Sequence, residues 1–339
     1  MSETTNVKLS VLDLAPVVEG SDPQTALANS TELVQTAERL GYHRHWVAEH
    51  HNMPAVASTT PGVLIAHVAA ATERIRVGSG GVMLPNHATF AIAEQFALLE
   101  ALHPGRIDLG IGRAPGTDPL TASAFGRHPH QSVEDFPRDL IELMGLLGDR
   151  RREEGMWTRL AATPAPTSTP QVALLGSSTF SAQLSGMLGL PFAYAHHFDT
   201  GVTDLAVRAY HERFEPSPVL DEPYLIVGVG ALAAETDEEA ARIGLPSQIL
   251  RYGIRTNQRQ PLLSPDEAAG SPIAEAARQM AAPVPGEDPA VADARRAADE
   301  AARSLESEKL AERMRETAGA LRNPQPDGRA AEQGREMAR

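Results

Sequence analysis

The chain has no cysteine among its 339 residues. Disulfides, thiolate metal sites and cysteine nucleophiles are therefore excluded, and the absence fits a reducing, cytoplasmic setting. Aromatic residues are scarce at 4%, which leaves few stacking platforms for a ligand; Phe125, Phe198 and Tyr252 are the candidates. Basic charge is short as well. Against 44 Asp and Glu stand 30 Lys and Arg, a net charge of −14 that argues against a nucleic-acid or anionic-membrane partner. No stretch approaches the roughly 20 apolar residues of a membrane span, and no basic segment followed by an apolar run opens the chain. What is present is a 42% hydrophobic content, enough for a sizeable core. The length suits two average domains or one large α/β barrel.

The hydrophobic pattern has a strand-then-helix beat. Val7, Leu9 and Val11 alternate with polar residues as a first strand ending near Asp13. Asp22-Pro23 caps a helix whose Leu27, Val34, Ala37 and Leu40 recur at helical spacing up to Gly41. His45–Ala48 and Ile75–Gly78 read as strands two and three, with a helix from Pro61 between them. A third helix carries Ile92, Phe96, Leu99 and Leu102 and stops at Pro104-Gly105, before strand four at Ile107, Leu109 and Ile111. One helix between successive strands indicates a parallel sheet with right-handed crossovers. Residues 113–130 then read as a long loop, followed by a helix bearing Phe136, Leu140, Leu143 and Leu147, and 150–170 as a surface excursion. Strands five, six and seven follow at Val172–Leu175, Phe192–Ala195 and Tyr224–Val229.

After Pro261 the composition shifts to Ala, Arg, Glu and Pro, and no eighth strand is evident. The expected organisation is a barrel over residues 1–260 and an atypical region over 261–339, helical over Ala292–Ala320 and then disordered.

The chemistry gathers at the strand ends, the face where barrel enzymes keep their sites. Glu49-His50-His51 closes strand two, and a Glu-His pair can move protons near neutral pH. A solvated polar strand end is the plain alternative, and a metal site lacks a second histidine pair with a matching carboxylate. Ser79-Gly80-Gly81 ends strand three, where two glycines let a planar ligand lie against the backbone, or simply make a turn. Leu84-Pro85-Asn86-His87 adds polar groups to the same rim. Arg113 after strand four suits an anionic group. Gly176-Ser177-Ser178 opens the helix after strand five as a phosphate cradle, or as an ordinary N-cap. His196-His197 ends strand six at the same mouth.

Taken together, Glu49-His50-His51, the run Val77–Pro85, Gly105–Gly110 and Arg113 resemble the bacterial luciferase-like flavin-dependent monooxygenases. The branch is the single-chain one, similar to oxygenases of polyketide biosynthesis in secondary metabolism. The resemblance spans roughly residues 7–245. It implies a TIM-type (β/α)8 barrel that binds FMN, supplied as FMNH2 by a separate flavin reductase, with O2 as co-substrate. His50, Glu49 and His51 would then be catalytic, Gly80-Gly81 with Ser79 the flavin seat through a cis peptide, and Arg113, Gly176, Ser177 and Ser178 the phosphate site. The implied reaction passes through a flavin hydroperoxide that hydroxylates or epoxidises a small organic substrate. A deazaflavin-dependent hydride-transfer oxidoreductase and a non-catalytic flavin-binding protein are the alternatives. The resemblance also implies a homodimer packed through helices on the strand-two and strand-three side. Where luciferase has a cysteine beside the flavin, this chain has Gly112.

Overall fold

In the computed structural model, the described residues are 7–281 except 115, 126–133, 150, 152–154, 166, 199–200, 257 and 259. Seven parallel strands lie in sequence order: β1 (Ser10–Asp13), β2 (Arg44–Val47), β3 (Arg76–Met83), β4 (Ile107–Gly112), β5 (Gln171–Gly176), β6 (Phe192–Tyr194) and β7 (Leu225–Val227). Helices α1 (Pro23–Arg39), α2 (Pro61–Ala70) and α3 (Thr89–Leu102) connect the first four strands. Two helices, α4 (Pro119–Ala124) and α5 (Phe136–Leu146), separate β4 from β5. Then come α6 (Thr179–Met187), α7 (Thr203–Arg213), α8 (Asp237–Arg255), α9 (Pro265–Gly270) and α10 (Ala274–Ala281). Among the described residues no strand follows β7, so the barrel is open and incomplete, with a helical region in place of its end.

Local sequence explains most boundaries. Asp22 accepts from the Thr25 N–H at 2.7 Å ahead of Pro23, and Gly41 at φ 75° ends the segment after α1. β3 runs past the expected Gly78 because pairing with β4 resumes at Val82 after a register shift between Gly80 and Val82. The expected loop 113–130 contains α4, whose cap Asp118 accepts from Leu120 and Thr121. The segment after β7 leads into α8, capped by Thr236. The surface excursion before β5 is anchored by Trp157, buried against Gly145. The expected helix over 292–320 and the disordered end lie outside the described residues.

Side chains alternate between two environments, as strand geometry requires. Val47, Val77, Leu109, Ile111 and Leu174 face the helices, where they pack with Ile65, Val68, Phe96, Leu140 and Leu143. The interior holds a small cluster of Trp46, Ala173 and Ala193. At the N-terminal end of the interior, Asp108 accepts from Arg44 Nε at 2.8 Å, Trp46 Nε1 at 2.9 Å and Arg76 Nε at 2.9 Å. Arg44 also donates to Gln171 Oε1 and to the Tyr224 hydroxyl, both at 2.8 Å. Charge thus fills the bottom of the barrel, and glycines line its upper half. No helix among the described residues is long and apolar enough to cross a membrane.

Candidate active site

Glu49 sits just beyond β2 and is fully buried. Its carboxylate accepts from His51 Nε2 at 2.8 Å, His87 Nε2 at 2.9 Å, the Met83 N–H at 2.9 Å and Asn86 Nδ2 at 3.3 Å. Burial pushes the carboxyl upward, but the bonds from His51 and His87, the charge on His87 and the Met83 amide win and hold its pKa at about 2. Glu49 is therefore an ionised clamp that ties the end of β2 to the end of β3. A carboxylate only accepts, so both histidines carry their proton on Nε2.

His50 turns elsewhere. Its Nδ1–H donates to the Gly116 carbonyl at 3.2 Å, which leaves Nε2 with a lone pair in the neutral ring. Burial lowers its pKa, more than the Gly116 bond and the Glu49 charge raise it. His51 meets the Phe125 ring edge-on at 4.7 Å between centroids, and His87 lies 6.5 Å from the same ring. The loop after β4 is pinned over the loop after β2. Thr117 Oγ1 donates to the His51 carbonyl at 3.0 Å, and Asn52 Nδ2 donates to Asp118 Oδ2 at 3.3 Å and Thr121 Oγ1 at 3.1 Å.

The Gly80–Gly81 peptide is cis. A Cβ on Gly81 would lie 2.7 Å from the Gly110 carbonyl oxygen, a backbone atom that cannot move aside, whereas one on Gly80 would press on the flexible end of Leu12. Ser79 is buried and donates to the Gly110 carbonyl at 2.9 Å, so its hydroxyl links β3 to β4. On the other side of the mouth, the Arg113 guanidinium stacks over the Phe180 ring at 4.2 Å. Phe180 is in the first turn of α6, so Arg113 stands beside that helix N-terminus. Gly176 leads into it, where a Cβ would strike Ser181 at 2.4 Å. Ser178 is the N-cap residue, with no side-chain bond to the helix. Arg113 has no carboxylate partner among the described residues. Ser177 is half-buried beside them.

The structure thus forms two groups from the residues singled out in the sequence. Glu49, His50 and His51 share one wall with His87, expected only as a polar group on the rim, with Phe125, expected as a stacking platform, and with Gly116, which the sequence did not single out. Arg113, Gly176, Ser177 and Ser178 share the other. The Asp118-Pro119 cap is a readable signal for the folded-over loop; nothing local marks Phe125 as its contact with His51. No group of three His, Asp or Glu among the described residues could hold a metal ion.

Comparison with known proteins places the chain in a family. The sequence matches the luciferase-like monooxygenase family over residues 7–338. The chain belongs to that family. A luciferase-like monooxygenase of Escherichia coli (strain K12) is 45% identical over 234 residues, 69% of this chain and 69% of its own length. The N-acetyl-S-alkylcysteine monooxygenase of Bacillus subtilis (strain 168) is 35% identical over 264 residues, 77% of this chain and 78% of that protein. Among solved structures, apo-MsnO8 superposes with a TM-score of 0.71 at 38% identity, covering 84% of this chain and 81% of that one. This luciferase-like chain is accordingly an enzyme, an oxidoreductase of the luciferase-like monooxygenase family.

Proposed function

We propose that the chain is an FMN-dependent monooxygenase that receives reduced flavin from a separate reductase and transfers one oxygen atom of O2 to a small organic substrate. The observation that carries this reading is Arg113, a guanidinium without a carboxylate partner among the described residues, beside the N-terminus of α6. An arginine fork and a helix N-terminus form a donor set that fits a phosphate monoester. Arg113, Gly176, Ser177 and Ser178 would hold the phosphate, and Ser79, Gly80 and Gly81 would support the ring against β3. The bound flavin supplies the oxygen chemistry. The chain orients it, shields it from water and handles protons. His50 Nε2 is the atom suited to accept or return a proton, because Nδ1 is fixed on Gly116. Glu49 and His51 act through position, holding the β2 and β3 ends in register.

Arg113→Ala is expected to weaken FMN binding about 10-fold to 100-fold, the scale of a lost charge-assisted contact. Quenching of FMN fluorescence measures it, and an unchanged affinity would remove the phosphate site. His50→Ala is expected to retain flavin binding and lose product formation when FMNH2 and O2 are supplied. Product at the parent rate would sink the role of His50, and turnover only with a reduced deazaflavin would favour the hydride-transfer reading.

Substrate classes in view are the polyketides and, from the Bacillus relative, S-alkylcysteine thioethers. In this reading residues 1–260 carry the chemistry and 261–339 form an appended region. Val63 on α2 and Leu98 and Leu102 on α3 are exposed apolar residues and suit a homodimer contact. Leu98→Asp is expected to convert a dimer into a monomer in sedimentation; an unchanged mass would place any contact elsewhere.

A further inference from the structure

The sheet stops at β7, and the pairing of β7 with β6 fixes what its outer edge offers. In a parallel ladder the N–H and C=O of one residue point to the same side, and successive residues alternate. Toward β6, the Tyr224 carbonyl accepts from the Phe192 N–H at 3.0 Å, and the Gly228 N–H donates to the Tyr194 carbonyl at 2.8 Å. The Gly228 carbonyl accepts from the His197 N–H at 2.9 Å. Ile226, between them, faces β6 as well. Leu225 and Val227 therefore direct their N–H and C=O groups away from the sheet, and among the described residues no bond reaches them there.

Proteins blunt such edges with charge, proline, a bulge or a covering element. Here the run Leu225–Ala234 contains no charged residue and no proline, and the register with β6 is regular. The next helix does not cover it either. α8 buries Leu245 and Ile249 against Ala268, Ala274 and Ala277 of α9 and α10. Ile226 points into the barrel beside Trp46 and Ala193, while Val227 and Val229 stay 44% and 58% exposed. Open backbone groups beside exposed valines are the two requirements for adding a strand.

Charge selects the strand. From Phe214 to Ala241 the sequence holds no Lys, Arg or His. Asp221 and Glu222 precede β7, and Glu235, Asp237 and Glu238 follow it; all are exposed and make no ion pair among the described residues. A second copy paired on this edge about a two-fold axis would set Asp221 and Glu222 of one chain toward the three carboxylates of the other, which repel. Beyond residue 281 the sequence has no aromatic residue, and its β-branched residues are Val284, Val291 and Thr317, a composition poor in strand formers.

We propose that the β7 edge is a docking site for an extended segment of a partner protein, a short run of β-branched residues flanked on both sides by Lys or Arg. Its backbone bonds to Leu225 and Val227, its apolar side chains cover Val227 and Val229, and its basic ends meet the carboxylates on either side of β7.

Fluorescence anisotropy of the full chain with a labelled synthetic peptide tests this. The probe is a short alternating valine–threonine segment with arginines at both ends; the control has proline in place of each threonine. The probe is expected to bind about 10-fold or more tightly than the control, which cannot complete a ladder. Val227→Pro removes an outward N–H while Ile226 and Gly228 keep their places against β6, and should bring the two peptides to equal affinity. Asp221→Lys with Glu222→Lys changes exposed side chains only and should shift the preference from arginine-flanked to glutamate-flanked strands. Circular dichroism controls for folding in both. Equal affinity for probe and control, including no binding of either, overturns the proposal. So does a preference that survives Val227→Pro in a folded chain, or one indifferent to the charge reversal. Association of the chain with itself that Val227→Pro abolishes would put a second copy on the edge instead. Slow hydrogen exchange of the Leu225 and Val227 amides in the monomer without peptide would assign the edge to the remainder of the chain, and equally overturn the partner.

Discussion

Glu49→Ala is expected to cost about 3 kcal/mol or more of folding stability, because it strands buried donors around an emptied site. The His51 and His87 rings, the Met83 amide and the Asn86 side chain all point at this one carboxylate. Its folded pKa of about 2 lies below the ordinary 4.5. That difference corresponds to about 3 kcal/mol of preference for the ionised form in the folded protein. Because the folded pKa is the depressed one, the stabilisation is complete above 4.5 and is lost as pH falls from there toward 2. Urea midpoints of parent and Glu49→Ala at about pH 7 and about pH 3 check both claims. The gap should be wide at neutral pH and clearly narrower in acid. A gap of equal width at both would show that Glu49 is not an ionised clamp. Glu49→Gln keeps the shape and one acceptor oxygen, so its loss should fall between the two.

Asp108→Ala should have an effect of similar or larger size at the other end of the barrel. Asp108 is buried and receives Arg44, Arg76 and Trp46. Through Arg44 the network reaches Gln171 at the start of β5 and Tyr224 just before β7. A fully closed barrel would share this interior among eight strands; among the described residues the sheet has two free edges, and the polar hub crosses the gap between distant strands. Removing the carboxylate leaves Arg44 buried with its charge uncompensated, a loss of about 3 to 5 kcal/mol. A Tm drop of about 10 °C is expected for a domain of this size. A shift under about 2 °C would mean that water already compensates these arginines. FMN affinity should change less than stability does, because the proposed phosphate donors sit at the opposite ends of the strands.

These two carboxylates differ sharply in how legible they are in the sequence. Glu49 stands out as part of Glu49-His50-His51, since three titratable residues at an abrupt strand end contrast with the apolar run before them. Asp108 reads as one more residue of Gly105–Gly110, because nothing local tells whether a strand aspartate meets water or two arginines. The same limit applies to His87. In the sequence it is a polar group on the rim, but its bond to Glu49 depends on how far β3 extends, and that depends on pairing with β4 across the Gly80–Val82 irregularity.

Strand order, crossovers, most helix boundaries and the missing end of the barrel were determined by the sequence, because periodicity, caps and glycine stops are local properties. The sequence also determined which strand ends carry polar and small residues, since these interrupt apolar runs there. Tertiary structure alone decided which of those groups meet. It made Glu49 a clamp, turned His50 away from it toward Gly116, and stacked Arg113 on Phe180. These contacts join segments separated by tens of residues, and their partners are chosen by sheet register and loop packing. No single stretch of chain encodes them.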